Sequence, residues 1–218
     1  MARPRKVTDE QILAAMKQAV LLHGPSVSLD QVASSLDVTA PALLKRFKSR
    51  EALLLAALTP PDDAEFLDVL EAGATTGPLD QQLRRILTLM YAFLEDVIPC
   101  LSALRESGIE HAKLYRPKDP ARGITAMKHW LATARKRNLI ADLELEPAAH
   151  AILGAIQSRA FSTYLLQQPD SPRAQRKYID EVVRFFTHAL ANPRPESSGT
   201  RSGSVSGSNE VRKLSTRR

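Results

Sequence analysis

The sequence predicts an all-α protein of about nine helices, on three observations. Apolar residues recur at spacings of three and four, and no alternating apolar and polar run is convincing as a strand. Proline and glycine fall between these periodic segments and divide the chain cleanly. Serine or threonine stands directly before several segments, where its hydroxyl can accept from an unpaired helix N–H. With 218 residues, 44% apolar and 25% charged, the chain is long enough to bury a core without disulfides or metals.

The elements follow in order. Thr8 with Gln11 forms a capping-box pattern, Ile12, Ala15, Met16, Ala19 and Leu22 hold helical spacing, and Gly24-Pro25 ends the segment. Ser28 with Gln31 repeats the box and opens a short helix carrying Leu29, Val32, Ala33 and Leu36. After a brief break at Asp37-Val38, Thr39 caps another short helix, with Pro41 in its first turn and Leu43, Leu44 and Phe47 on its apolar side. Ser49 caps a fourth, Arg50 to Leu58, closed by Pro60-Pro61. Residues 62–72 read as a short helix ending near Gly73. Leu79, Leu83, Ile86, Leu87, Met90 and Leu94 form a wide stripe on a long helix from Pro78 to about Ser107, which Pro99 is expected to bend or break. Arg116 to Pro120 reads as loop, and Ile124, Met127, Leu131 and Ala134 mark a helix ending at Arg135-Lys136-Arg137, where cations suit the C-terminus. Pro147 is expected to start a helix reaching about Gln168, and Ser171-Pro172 the last, with Ile179, Val182, Val183, Phe186 and Leu190 in register. From Pro193 the chain turns to Ser, Gly, Pro and Arg, the composition of a disordered tail.

Charge is uneven. Residues 1–60 carry 8 Lys/Arg against 5 Asp/Glu (+3), residues 193–218 carry 6 against 2 (+4), and residues 61–192 carry 16 against 17 (−1). Basic ends around a near-neutral body point to an anionic partner, nucleic acid foremost. Arg3, Arg5 and Lys6 read either as a solvated terminus or as an arm into a minor groove. A single cysteine, Cys100, excludes an intrachain disulfide framework and reads as a buried thiol in a reducing compartment. No apolar run approaches the roughly 18 residues of a membrane span, so a cytoplasmic protein without a membrane partner is expected. The five histidines lie scattered without zinc-ligand spacing, and no phosphate-binding glycine loop or nucleophile elbow occurs. No catalytic residue, metal or cofactor is expected.

Residues 28–47 carry the functional signal: a short capped helix, a break of about three residues and a second short capped helix, a helix-turn-helix pattern. Such a unit braces its first helix on the duplex backbone and places the second in the major groove. Ser28 and Thr39 stand at the two helix N-termini, where N–H groups and hydroxyls suit phosphate. Lys45, Arg46, Lys48 and Arg50 crowd the end of the second helix and the start of the next. Ala40, Pro41 and Leu44 complete the predicted contact surface. Ala40, Pro41 and Ala42 carry no polar side-chain atoms, so hydrogen-bond readout falls mainly to Thr39 and Lys45, with methyl contacts and duplex shape supplying the rest.

Thr8-Asp9-Glu10-Gln11-Ile12, Ala15, Gly24, Ser28, Val32-Ala33, Val38-Thr39, Leu43, Phe47 and Ser49-Arg50-Glu51-Ala52-Leu53 together resemble the N-terminal domain of the tetracycline-repressor-like (TetR) family of bacterial regulators. The family usually has glycine where this chain has Asp37, an aromatic at Leu44, histidine at Arg46 and lysine at Arg50. The resemblance implies a DNA-binding domain over 1–60, a ligand-binding and dimerisation domain over 61–192 and a basic tail over 193–218. It further implies a homodimeric regulator, repressor in sense, on a palindromic operator in double-stranded DNA, released by a small, mostly apolar effector.

The body supplies candidates for both remaining tasks. Ala148, Ala151, Ala155, Ser158 and Ser162, with Gly154 beside them, make a small-residue stripe on one helix, and Tyr178 and Phe185 add apolar surface on the last. These eight residues are the predicted dimer seam; an internal helix pair is the alternative. The resemblance implies an effector pocket in the intervening helices, where Met90, Tyr91, Phe93, Leu94, Leu101, Leu104, Met127, Trp130 and Leu131 fall. An all-helical protein-interaction module without an operator stands as the rival reading, and a small helical enzyme as a third.

Overall fold

Four short helices build the N-terminal head, and each begins at the predicted cap. The computed structural model describes residues 7–60, 64–109 and 121–191, and among them it contains nine helices and no strand. Helix α1 (Asp9–His23) opens on a complete capping box: Thr8 Oγ1 accepts from Gln11 N, and Gln11 Oε1 accepts from Thr8 N. Ser28 and Gln31 repeat the arrangement before α2 (Leu29–Ser35). Thr39 caps α3 (Ala40–Phe47), with Pro41 in the first turn, and Ser49 caps α4 (Arg50–Leu58). Between α2 and α3 the chain turns through Asp37 at φ 53°, a left-handed conformation that aspartate tolerates better than most residues.

The body holds α5 (Glu65–Glu71), α6 (Leu79–Glu106), α7 (Arg122–Lys136), α8 (Leu145–Leu165) and α9 (Pro172–Ala191). Helix α6 runs through the centre, packing on α8 and α9, while α7 lies between α5 and α8. Its apolar stripe, Leu83, Ile86, Leu87, Met90 and Tyr91, meets Met127, Trp130 and Leu131 of α7, Ile152, Leu153 and Ile156 of α8, and Ile179 and Val183 of α9 in one buried core. Each such large side chain stabilises the fold by about 1.5–3 kcal/mol through burial alone.

Three expectations change. Pro99 does not break α6, which is continuous over 28 residues. The proline withholds one N–H from the Glu95 carbonyl, but Val97 two residues before it is buried and Cys100 directly after it packs in the head core. Helix α6 also has the length and apolarity of a membrane span, with mean hydropathy 1.5 over 18 residues. Its apolar residues are instead shared between the two cores of this chain. Helix α8 starts at Leu145, two residues before Pro147, which sits harmlessly in the first turn, and it ends at Leu165 rather than Gln168. The predicted 116–120 loop, the Arg3, Arg5 and Lys6 cluster and the tail from Pro193 lie outside the described residues.

Head and body share structure. Ile12, Met16 and Val20 of α1, Val32 and Ala33 of α2, Leu43 of α3 and Leu53, Leu54 and Leu58 of α4 form the head core, and Cys100, Ala103 and Leu104 of α6 complete it. A boundary at residue 60 thus separates most of the head core from the helix that closes it. On the surface of the same joint, Lys17 Nζ lies 2.6 Å from both Asp96 carboxylate oxygens.

Among the described residues, one glycine is sterically required. Gly73, after α5, has φ +78°, and a Cβ there would meet Thr133 Oγ1 at 2.9 Å. That hydroxyl accepts from Ala74 N at 2.7 Å and donates to Trp130 O at 2.7 Å, so it has little freedom to step aside. Gly73→Ala is expected to cost about 2 kcal/mol in denaturant unfolding, from left-handed strain plus the clash; an unchanged midpoint would show that the loop relaxes freely.

Candidate nucleic-acid interface and the sites of the body

Helix α3 buries Leu43 in the head core, and half-buried Phe47 packs against that core. The rest of its surface faces solvent: Thr39, Pro41, Ala42, Leu44, Lys45 and Lys48 are exposed, and Ala40 is half-buried. Thr39 Oγ1 accepts from Ala42 N at 3.4 Å, a weak cap bond. Lys48 closes the helix at φ 73°, with its N–H donating to Leu44 O at 2.8 Å. Ser28 is exposed at the start of α2, its hydroxyl accepting from Gln31 N and donating to Gln31 Oε1, both at 3.2 Å.

The two arginines of the predicted cluster differ from the two lysines. Arg46 folds back on the N-terminus, where Nη1 donates to Val7 O at 2.8 Å and Nη2 pairs with Asp9 Oδ1. Arg50 Nη2 donates to Pro25 O and to Val27 O, tying the start of α4 to the α1–α2 loop. Both guanidinium groups are therefore engaged within the head, Arg46 through Nη1 and Nη2 and Arg50 through Nη2. Their partners lie 23 to 39 residues away in sequence, beyond the reach of any local pattern. Among the described residues, the exposed cations of the predicted cluster are Lys45 and Lys48.

The residues predicted to line an effector pocket do not come together as one. Met90, Tyr91, Met127, Trp130 and Leu131 are buried in the body core, and Phe93 packs on Phe66 with ring centroids 5.2 Å apart. Leu104 is buried in the head core and Leu101 packs against it, because the end of α6 belongs to the head. Leu94 alone of the nine borders the cleft of about 380 Å³ where α1 meets α6 and α8. The cleft is also lined by Leu21, Glu95, Ile98, Pro99, Ala160, Thr163, Tyr164, Gln167 and Pro169.

Beside this cleft lies a polar cluster that sequence reasoning missed. Arg159 of α8 holds Asp170 through Nε at 2.8 Å and Nη2 at 2.5 Å, and Tyr91 Oη donates to Asp170 Oδ2 at 2.8 Å. The Arg159 guanidinium also stands 5.2 Å from the Tyr178 ring centroid, and Tyr178 Oη donates to Ala155 O at 2.9 Å. The Arg159 contact, ahead of the opposing cost of burial, holds the Asp170 carboxyl below its ordinary pKa. Burial, then the hydrogen bond to Asp170, pushes Tyr91 up to about 12.

The predicted seam divides in two. Ala151, Ser158 and Ser162 are exposed, and a Cβ on Gly154 would meet nothing within 4 Å. Ala148 packs against the body core and Tyr178 is engaged with Ala155 and Arg159, so these turn inward. Phe161 (51% exposed), Leu165 (60%) and Phe185 (67%) stand out from the same two helices. Phe161 and Leu165 were missed because their three-and-four spacing to small residues gave no separate signal.

A capped helix-turn-helix head sharing a core with a larger helical body defines the class of protein. No family model and no curated protein matches the sequence. Among solved structures, the TetR transcriptional regulator SCO0520 from Streptomyces coelicolor is similar at TM-score 0.54 and 19% identity, over 84% of this chain and 98% of that one. A TetR family transcriptional regulator from Pseudomonas syringae pv. tomato is similar at 0.54 and 18%, over 82% and 94%. The transcriptional regulator FadR from Bacillus subtilis, solved with stearoyl-CoA, is similar at 0.59 and 14%, over 83% and 98%. This chain has the fold of the TetR-family transcriptional regulators.

Proposed function

We propose that this protein is a DNA-binding transcriptional regulator, acting as a repressor. As a homodimer it binds a palindromic operator and leaves it when a small effector binds the body. The observation that carries the reading is α3 itself: Thr39, Pro41, Leu44, Lys45 and Lys48 are exposed along one helix whose opposite side, Leu43, is sunk in the head core. Thr39 supplies a hydroxyl at the helix N-terminus, the two lysines pair with phosphates or base edges, and Pro41 and Leu44 present methylenes and methyls to thymine. The exposed apolar stripe on α8 and α9 supports pairing, since one recognition helix reads only a few base pairs.

Binding to genomic DNA fragments, the protein's own upstream region included, across a salt series tests this. A two-fold symmetric footprint competed poorly by random DNA is expected; no sequence selection by folded, dimeric protein would favour the interaction-module reading. The same assay separates the cations. Lys45→Ala and Lys48→Gly are each expected to flatten the log–log salt dependence by about one unit while leaving the melting temperature unchanged or, for Lys48→Gly at its positive φ, raised. Arg46→Ala is expected to lower stability by about 1–2 kcal/mol through the lost Val7 and Asp9 contacts. A flattened slope from Arg46→Ala at unchanged stability would return that arginine to the DNA.

A further inference from the structure

The chain enters the head beside α3, and three consecutive residues hold it there. Val7 is buried in the head core, at 8% exposure. Thr8 is fixed by its reciprocal bonds with Gln11 at the start of α1. Asp9 pairs with Arg46 Nη2, and Val7 O accepts from Arg46 Nη1 at 2.8 Å. Arg46 is the last residue but one of α3. One guanidinium thus grips the backbone just ahead of α1 from the helix that exposes Lys45 and closes at Lys48.

The start of α1 does not need this grip. Its capping box is complete without Arg46, and an acidic residue in the first turn is already favoured by the helix dipole. What Arg46 adds is location, because whatever precedes Val7 sets out from the end of α3. In the sequence that is Met1-Ala2-Arg3-Pro4-Arg5-Lys6, with three cations and no acid. Arg46 has its own charge matched by Asp9, so α3 and its cap offer Lys45 and Lys48 to DNA, and Arg3, Arg5 and Lys6 would more than double that number.

Reach and composition favour one destination. Six extended residues span about 20 Å, further than the ~12 Å width of a major groove. An arm leaving the end of a helix seated in that groove can cross the bordering phosphates and arrive at the adjacent minor groove. The Arg3-Pro4-Arg5 order suits it, since proline disfavours helix in the residue before it. Arginine, in turn, is drawn by the potential of a narrow A·T minor groove. We infer that residues 1–6 are a second DNA-contacting element, seated in the minor groove beside each half-site, and that Arg46 is the positioning residue that delivers them there. The inference rests on the reading of α3 as the DNA-facing helix.

Anisotropy titrations of the full chain against two short duplexes, one all A·T and one all G·C, across a salt series test it. Arg3→Ala, Arg5→Ala and Lys6→Ala combined should flatten the log–log salt dependence by about two to three units. The same triple variant should lose the preference for the A·T duplex and keep the wild-type melting temperature. Netropsin, which fills the A·T minor groove, should weaken wild type by about fivefold or more and the triple variant by less than about twofold. Arg46→Lys keeps the charge but not the fork, so a direct phosphate contact would survive it. Positioning predicts instead a flatter slope in the wild-type background and no further change in the triple variant. A wild-type slope from the triple variant, an unchanged response to netropsin, or equal effects of Arg46→Lys in both backgrounds would overturn the inference. If Lys45→Ala still flattens the slope, such a result leaves the regulator reading standing; a full chain that binds neither duplex at low salt overturns both.

Discussion

Asp170→Asn is expected to lower stability by about 2–3 kcal/mol, a large loss for a residue in a loop. The Asp170 side chain is only 7% exposed, and it gathers the Arg159 guanidinium and the Tyr91 hydroxyl from two helices. Removing its charge leaves Arg159 facing a neutral amide and Tyr91 with a weaker acceptor. Breaking a buried pair from one side costs about 3–5 kcal/mol, and the 38% exposure of the arginine side chain lets water recover part of that. The pH dependence follows from the depressed pKa of Asp170. The stabilisation is fully present above the unfolded carboxyl's value near 3.8 and is lost as pH falls through the lower folded value. Urea titrations from pH 6 to pH 3 should show wild type converging on Asp170→Asn at the acid end. Parallel curves, with the gap unchanged at pH 3, would mean that the charge contributes nothing and the loss is steric.

Phe161→Asp combined with Phe185→Asp is expected to convert the protein from dimer to monomer, raising the dimer dissociation constant more than a hundredfold, equivalent to about 3 kcal/mol. Both rings are more than half exposed in the single chain, so carboxylates there cost its own fold little. Exposed Phe161 on the helix that also exposes Ala151, Ser158 and Ser162, with exposed Phe185 on the last helix, is the composition of a surface that suits a second helix pair. Sedimentation velocity across a concentration series reads the change, and the melting temperature of the monomer reads the fold. Operator affinity should fall with the dimer. A wild-type chain that sediments as a monomer at tens of micromolar, or a double variant that stays dimeric, would place the pairing surface elsewhere or remove it.

Much of this architecture is written locally. Thr8, Ser28, Thr39 and Ser49 each mark a helix start because a cap is decided by a hydroxyl and an N–H three residues on. Asp37 marks the turn of the helix-turn-helix because its own backbone takes the left-handed form. The stripe Leu83, Ile86, Leu87 and Met90 announces a buried helix face by its period alone. By the same reasoning the helix-turn-helix, and with it the resemblance to the TetR family, was legible from residues 8–58.

What the sequence by itself determined is therefore where helices begin, which side of each is apolar, and that a basic surface surrounds the third. What the tertiary structure alone decided is which partner each side chain meets. Arg46 and Arg50 look like free cations until Val7, Asp9, Pro25 and Val27 are brought beside them. Leu104 looks like body until α6 is seen to close the head core, and the cleft exists only because Leu21 and Tyr164, 143 positions apart in the 218-residue chain, both line it. Periodicity specifies a face, set by bonds within four residues; a partner is specified by packing between segments whose separation in sequence carries no information about their separation in space.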